Sequence, residues 1–138
     1  MSEQWLEWKT EGKQVNKPIV NFNGKWRNKL SSEMIITVEK GIVSGIYQTV
    51  VGEPSHNCEE FPLSGFVNGH LISFIVDWKQ YGSITAWVGQ HIIDINGNNE
   101  RIETMWHLVK NIGEEGKEAD SNSYWNAFLS GSDVFSKI

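Results

Sequence analysis

Cysteine is nearly absent: Cys58 stands alone among 138 residues. No internal disulfide can therefore staple this fold, and no cysteine spacing offers a metal site, so the thiol reads as inert or weakly reactive. Long apolar runs are also missing. None approaches the roughly 18 residues of a membrane span, and the opening MSEQWLEWKTEGKQ lacks the apolar segment of a signal peptide. The chain reads as soluble as it stands, and a secreted precursor with its leader removed would read the same. Positive charge is not in excess either. A formal net charge of -5 with no Lys/Arg stripe argues against a nucleic-acid partner. There is no phosphate-binding glycine loop and no metal-ligand set. His56, His70, His91 and His107 are scattered, and none forms an evident nucleophile–base pair.

What is present describes one folded domain. A length of 138 residues suffices to enclose a core, and 39% hydrophobic with 21% charged residues suits a globular chain rather than a disordered one. Residues 1–21 hold Trp5, Trp8 and Pro18 among polar neighbours and read as an N-terminal extension; the domain proper is taken as 22–138. From Phe22 onward short apolar segments and turn residues recur at strand-like intervals, with no long helical period. Candidate strands are 22–29, 33–39, 42–50, 61–68, 70–79, 83–95, 100–110 and 124–136. Asn68-Gly69 and Asn96-Gly97 are dipeptides favoured in tight hairpins, where both central positions need positive φ. The acidic stretch from Ile112 to Ser123 reads as a solvated loop. Eight sequential antiparallel strands most simply close into an up-and-down β-barrel, an all-β fold with room for one small ligand. A sandwich remains open.

Strand parity is the informative step, because residues two apart share a face. One parity collects Trp26 and Asn28; Val43, Gly45, Tyr47 and Thr49; Phe74, Val76 and Trp78; Ser83, Thr85 and Trp87; and Thr104, Trp106 and Leu108. An interior filled only for stability would favour Val, Ile and Leu, because a buried hydroxyl or amide without a partner costs on the order of 1 to 3 kcal/mol. Polar groups on a Trp-rich interior therefore suggest a polar ligand. Taken singly, a buried Trp is ordinary core, a strand Ser or Thr is merely sheet-compatible, and Asp133 between Gly131 and Phe135 would be a surface carboxylate. Only the constellation argues for a site.

These residues resemble the avidin and streptavidin family across roughly Asn23 to Ile138. The resemblance is carried by Gly24-Lys25-Trp26-Arg27-Asn28, Ser44-Gly45-Ile46-Tyr47 running to Val51-Gly52, Val76-Asp77-Trp78-Lys79, Thr85-Ala86-Trp87-Val88-Gly89-Gln90, Thr104-Met105-Trp106-His107-Leu108, and Trp125 through Phe135. It implies an eight-stranded barrel with biotin in its open end, bound as a ligand rather than used as a cofactor. Asn28, Ser32 and Tyr47 would donate to the ureido carbonyl oxygen, in the manner of an oxyanion hole used for binding. Asp133 and Thr49 would accept from the two ureido N–H groups. Trp78, Trp87 and Trp106, with Leu108, would wall the bicyclic rings, and Thr85 would meet the ring sulfur. Ser83 and the loop at Val51, Gly52 and Glu53 would meet the valerate carboxylate. Trp125 would be lent to a neighbouring subunit, so a homo-oligomer, expected as a tetramer with a dimer as the lesser form, would complete the site. The resemblance also implies a secreted protein. This chain departs from the family's pattern in the carboxylate of Glu53, in the short connection at Asn68-Gly69, and in Ser130 and Ser132 at subunit-contact positions, which Met105 partly offsets. A carbohydrate-binding β module is the alternative, since Trp, Asn and Asp also build sugar platforms. A glycosidase pairing Asp133 with Glu53 is disfavoured, because Asp133 is committed to the ureido group.

Overall fold

Alternation builds the strands. In the segment Glu33–Glu39, Met34 and Ile36 are buried while Ile35 and Thr37 face outward, and a period-two pattern also marks strands such as Leu71–Asp77. A computed structural model describes residues 17–50, 58–112 and 127–138. Trp5, Trp8, Val51, Gly52, Glu53, Trp125, most of the acidic stretch and the Cys58 side chain lie outside the described residues. The strands are β1 (Gly24–Arg27), β2 (Glu33–Glu39), β3 (Ile42–Val50), β4 (Cys58–Asn68), β5 (Leu71–Asp77), β6 (Ser83–Ile92), β7 (Arg101–Lys110) and β8 (Phe128–Lys137). Each pairs antiparallel with the next, and β1 closes on β8 through Trp26↔Lys137 and Arg27↔Ser136, giving an eight-stranded closed barrel. The barrel expectation holds, and closure leaves no free sheet edge among the described strands.

The turns differ from the sequence expectation. At the β4–β5 hairpin the two loop residues are Gly69 and His70, because Asn68 pairs with Leu71. Gly69 takes φ +61° at the first loop position, where only one residue needs positive φ, and Asn68 belongs to the strand. Asn96-Gly97 is not a two-residue hairpin: Ile92 pairs with Arg101, and the connection contains a turn in which the Gly97 N–H donates to the Asp94 carbonyl, 2.8 Å. The tight turn with both loop residues at positive φ is Lys40-Gly41, at +51° and +77°, between Glu39 and Ile42. Strand β4 begins at Cys58, three residues before the expected Phe61. The charged pair Glu59-Glu60 carries little strand signal, yet the ladder continues through Thr49↔Glu59 and Val50↔Cys58.

The inward parity read from the sequence is the buried one. Trp26, Met34, Val43, Phe74, Val76, Ile102 and Phe135 are fully buried, each such side chain contributing about 1.5 to 3 kcal/mol of transfer free energy. One end of the barrel is plugged. The Trp26 indole N–H donates to the Phe22 carbonyl, 2.9 Å, His91 sets its ring edge-on to both aromatics, and the His91 Nε2 meets a Glu100 carboxylate oxygen at 2.9 Å. Lys17 and Pro18 lie beside Gly69. The opposite end is where the strands β3, β4 and β6 bring their polar inward residues, and it holds the candidate site.

Candidate functional site

The site begins at the turn after β1. The Asn28 side-chain oxygen accepts the backbone N–H groups of Leu30, 3.1 Å, and Ser32, 3.0 Å. That fixes the amide's orientation, since only its oxygen end can face two donors. Its nitrogen therefore points into the barrel, where Asn28 Nδ2 donates to Asp133 Oδ2, 3.0 Å, and approaches the Tyr47 hydroxyl at 3.4 Å. Asn28 and Asp133 are far apart in sequence and meet because β1 closes on β8. Asp133 is held in turn by β7: the Thr104 hydroxyl donates to the Asp133 backbone carbonyl, 2.9 Å. Tyr47 is buried, and burial pushes its phenol up to about 12, with the Asp133 charge acting the same way; hydrogen bonds from Ser32 and Asn28 act against them. The phenol thus stays protonated at neutral pH and keeps a proton to donate. Asn28, Ser32, Tyr47 and Asp133 form one connected polar cluster.

An aromatic box lies against that cluster. Tyr47 stacks on Trp87, with centroids 5.1 Å apart and planes at 28°, and Trp87 stacks on Phe74 at 4.9 Å and 18°. Trp78 stands edge-on to Tyr47 at 5.5 Å and crosses Trp87 at 6.3 Å. Such offset and edge contacts suit the ring quadrupoles and hold the box rigid. The Trp78 indole N–H donates to the Thr85 hydroxyl oxygen, 2.7 Å, which leaves the Thr85 proton to point elsewhere. The Trp87 indole N–H is buried with no hydrogen-bond partner among the described residues. Trp106 pairs across the sheet with Trp87 and lies over Gly131. A Cβ at Gly131 would come within 2.6 Å of the Trp106 ring, so the glycine makes room for the indole.

Toward solvent the box opens into a cavity of about 320 Å³ lined by Thr49, Phe61, Trp78, Tyr81, Ser83 and Leu108. The structure thus gathers Asn28, Ser32, Tyr47 and Asp133 in the polar cluster, with Trp78, Thr85, Trp87 and Trp106 beside it and Thr49, Ser83 and Leu108 at the mouth. Val51, Gly52, Glu53 and Trp125 fall outside the described residues. Three mouth residues escaped the sequence reading. Phe61 faces inward because it pairs with the inward Tyr47, and it meets Trp78 edge-on at 4.9 Å. Glu59 faces inward because it pairs with Thr49. Tyr81, on the 3₁₀ turn Lys79–Tyr81, donates its hydroxyl to Glu59, which pushes the phenol's pKa upward. Parity carried across from Tyr47 would have found Phe61, and an earlier start for β4 would have added Glu59; nothing in the sequence pattern marks Tyr81.

Comparison with known proteins gives the same architecture. The model of the Avidin family matches residues 16–138. Avidin from Gallus gallus is 32% identical over 126 residues, which span 86% of this chain and 78% of that protein. Among solved structures, Xenavidin superposes with a TM-score of 0.68 at 29% identity, covering 86% of this chain and 98% of that one. A rhizavidin–biotin complex superposes with a TM-score of 0.65 at 30% identity, covering 86% and 97%. With the barrel closed in the same order and the family model spanning nearly all of it, the chain belongs to the avidin family, a non-enzymatic family of biotin binders, and is itself not an enzyme.

Proposed function

We propose that this protein binds biotin without covalent chemistry in the open end of its barrel, and that the polar cluster is the ureido site. The observation that carries this reading is the fixed Asn28 amide. Its oxygen is occupied by two backbone N–H groups, so its nitrogen is presented as a donor beside the Tyr47 phenol and across from the Asp133 carboxylate. A ureido group needs that juxtaposition: donors for its oxygen and an acceptor for its N–H groups. Asn28, Ser32 and Tyr47 donate to the carbonyl oxygen, and Asp133 and Thr49 accept from the two nitrogens. Donors on one side and a carboxylate on the other polarise the group in one sense, which strengthens each bond. Trp78, Trp87, Trp106 and Leu108 enclose the rings, with the Thr85 proton directed at the sulfur.

The finer reading extends to Ser83, Val51, Gly52 and Glu53 around the carboxylate tail, and to Trp125 supplied by a neighbouring subunit of a homotetramer. A secreted protein that sequesters biotin is the biological setting this implies. Calorimetric titration tests the core of it. Biotin should bind with about one site per chain and quench tryptophan fluorescence, since indoles line the pocket; a sugar array run beside it tests the carbohydrate alternative. No heat and unchanged fluorescence at micromolar biotin would end the reading.

A further inference from the structure

The mouth of the barrel carries a carboxylate that the ureido site does not use. Glu59 pairs with Thr49, so its side chain projects from the inner face, one step outward from Phe61. Tyr81 reaches across from the β5–β6 connection and donates its hydroxyl to the Glu59 carboxylate. Tyr81 and Thr49 both line the mouth cavity. Two consequences follow for a tail leaving that cavity. The phenol that would otherwise be a donor for an anion is already committed, and the group that commits it is itself an anion. No lysine or arginine is among the described residues that line the cavity; Lys79 and Lys110 line an adjoining depression that meets the cavity at Ser83 and holds Asp77 as well.

We propose that the Tyr81–Glu59 pair is a specificity element that favours biotin carried in amide linkage, as on the lysine of a biotinylated protein, over biotin as the free acid. The proposal rests on the biotin reading above and deepens it. An amide tail is neutral; its N–H can meet the spare oxygen of the carboxylate and its carbonyl can meet the Ser83 hydroxyl. A carboxylate tail brings a second negative charge to a half-exposed site already holding one. Like charges in partly hydrated surroundings repel by an amount worth roughly threefold to tenfold in affinity.

The test compares biotin with biotin methylamide by calorimetry on the full chain, in the wild type, Glu59→Gln and Tyr81→Phe, at low and at high salt. The wild type should bind the methylamide roughly threefold to tenfold more tightly than biotin. Glu59→Gln should bring the ratio close to one, chiefly by tightening biotin, while Tyr81→Phe, which keeps the ring but strips the carboxylate of its donor, should widen it. High salt should narrow the wild-type ratio. A ratio near one in the wild type, a preference for the free acid, or a ratio that Glu59→Gln leaves unchanged overturns the proposal while leaving the biotin site standing. Failure of both ligands to bind the wild type overturns the site itself, and this inference with it.

Discussion

Replacing Asp133 with alanine separates the task its carboxylate has in the free protein from the one proposed for it in the complex. In the free protein Asp133 Oδ2 accepts from Asn28 Nδ2 at 3.0 Å, and the next partner of that nitrogen, the Tyr47 hydroxyl, stands at 3.4 Å. Removing the carboxylate thus leaves Asn28 with one long hydrogen bond where it had a good one, a loss of about 1 kcal/mol. The Asn28 oxygen remains held by Leu30 and Ser32, so the amide keeps its direction and the barrel keeps its closure. The expected fall in melting temperature is about 3 to 5 °C. In the complex the loss is larger. A hydrogen bond to a charged group contributes about 1.5 to 3 kcal/mol, so biotin should weaken roughly tenfold to 150-fold, and further if the bonds across the ureido group are coupled.

Calorimetry gives the affinity and thermal unfolding with and without biotin gives the stability. Asp133→Asn is the control, since it keeps the shape and one acceptor but drops the charge; it should recover most of the stability and only part of the affinity. An Asp133→Ala protein that binds biotin within twofold of the wild type would remove Asp133 from the site and with it the role assigned to Asn28. A protein that loses affinity only in proportion to its loss of folding would show that the carboxylate is structural.

The Tyr47 phenol, raised to about 12 by burial, favours its neutral form in the folded state; the stability this contributes is intact below pH 10 and is lost as pH rises toward 12, by about 1.4 kcal/mol per unit. Alkaline unfolding compared between wild type and Tyr47→Phe reads this difference, and equal pH dependence in the two would refute it. Gly131→Ala should displace the Trp106 ring, costing roughly 1 to 3 kcal/mol of stability and weakening biotin; an unchanged melting temperature would show that the ring moves freely. Trp125→Ala should weaken biotin by a few kcal/mol, as losses at aromatic hot spots do, and light scattering should show a homo-oligomer. A monomer that binds biotin tightly and ignores this substitution would refute the shared site.

Parity carried most of what the sequence revealed. Trp26, Tyr47, Phe74, Trp87 and Thr104 lie on the inner face because a two-residue period admits only two assignments, and the tryptophans choose between them. Turn chemistry was less legible. Asn68-Gly69 has the dipeptide of a tight turn, but the strand keeps Asn68 and spends the positive φ on Gly69 alone. Lys40-Gly41 has the actual geometry with a lysine in place of the expected asparagine. Glu59 was missed because the expected strand starts at Phe61: the charged pair Glu59-Glu60 carries little strand signal, yet the ladder runs on through Thr49↔Glu59. Tyr81 had no signal at all, since its contact with Glu59 depends on where a three-residue turn sets the ring down.

The polar cluster also limits what the hydrogen bonds alone can deliver. Asn28 and Asp133 satisfy each other in the free protein, so a ureido group bound between them as proposed would exchange an existing bond for its own and gain only the difference. That difference is favourable where the free protein is imperfectly paired: the long Asn28–Tyr47 contact and the buried Trp87 indole N–H. The rest of the binding energy has to come from the aromatic box. Its rings are already stacked on one another and on the core, through Tyr47, Trp87 and Phe74, so little ordering entropy remains to be lost when a bicyclic ring enters. Substitutions in the polar cluster should therefore change which ligand is accepted, while substitutions that loosen the ring stack should weaken every ligand alike.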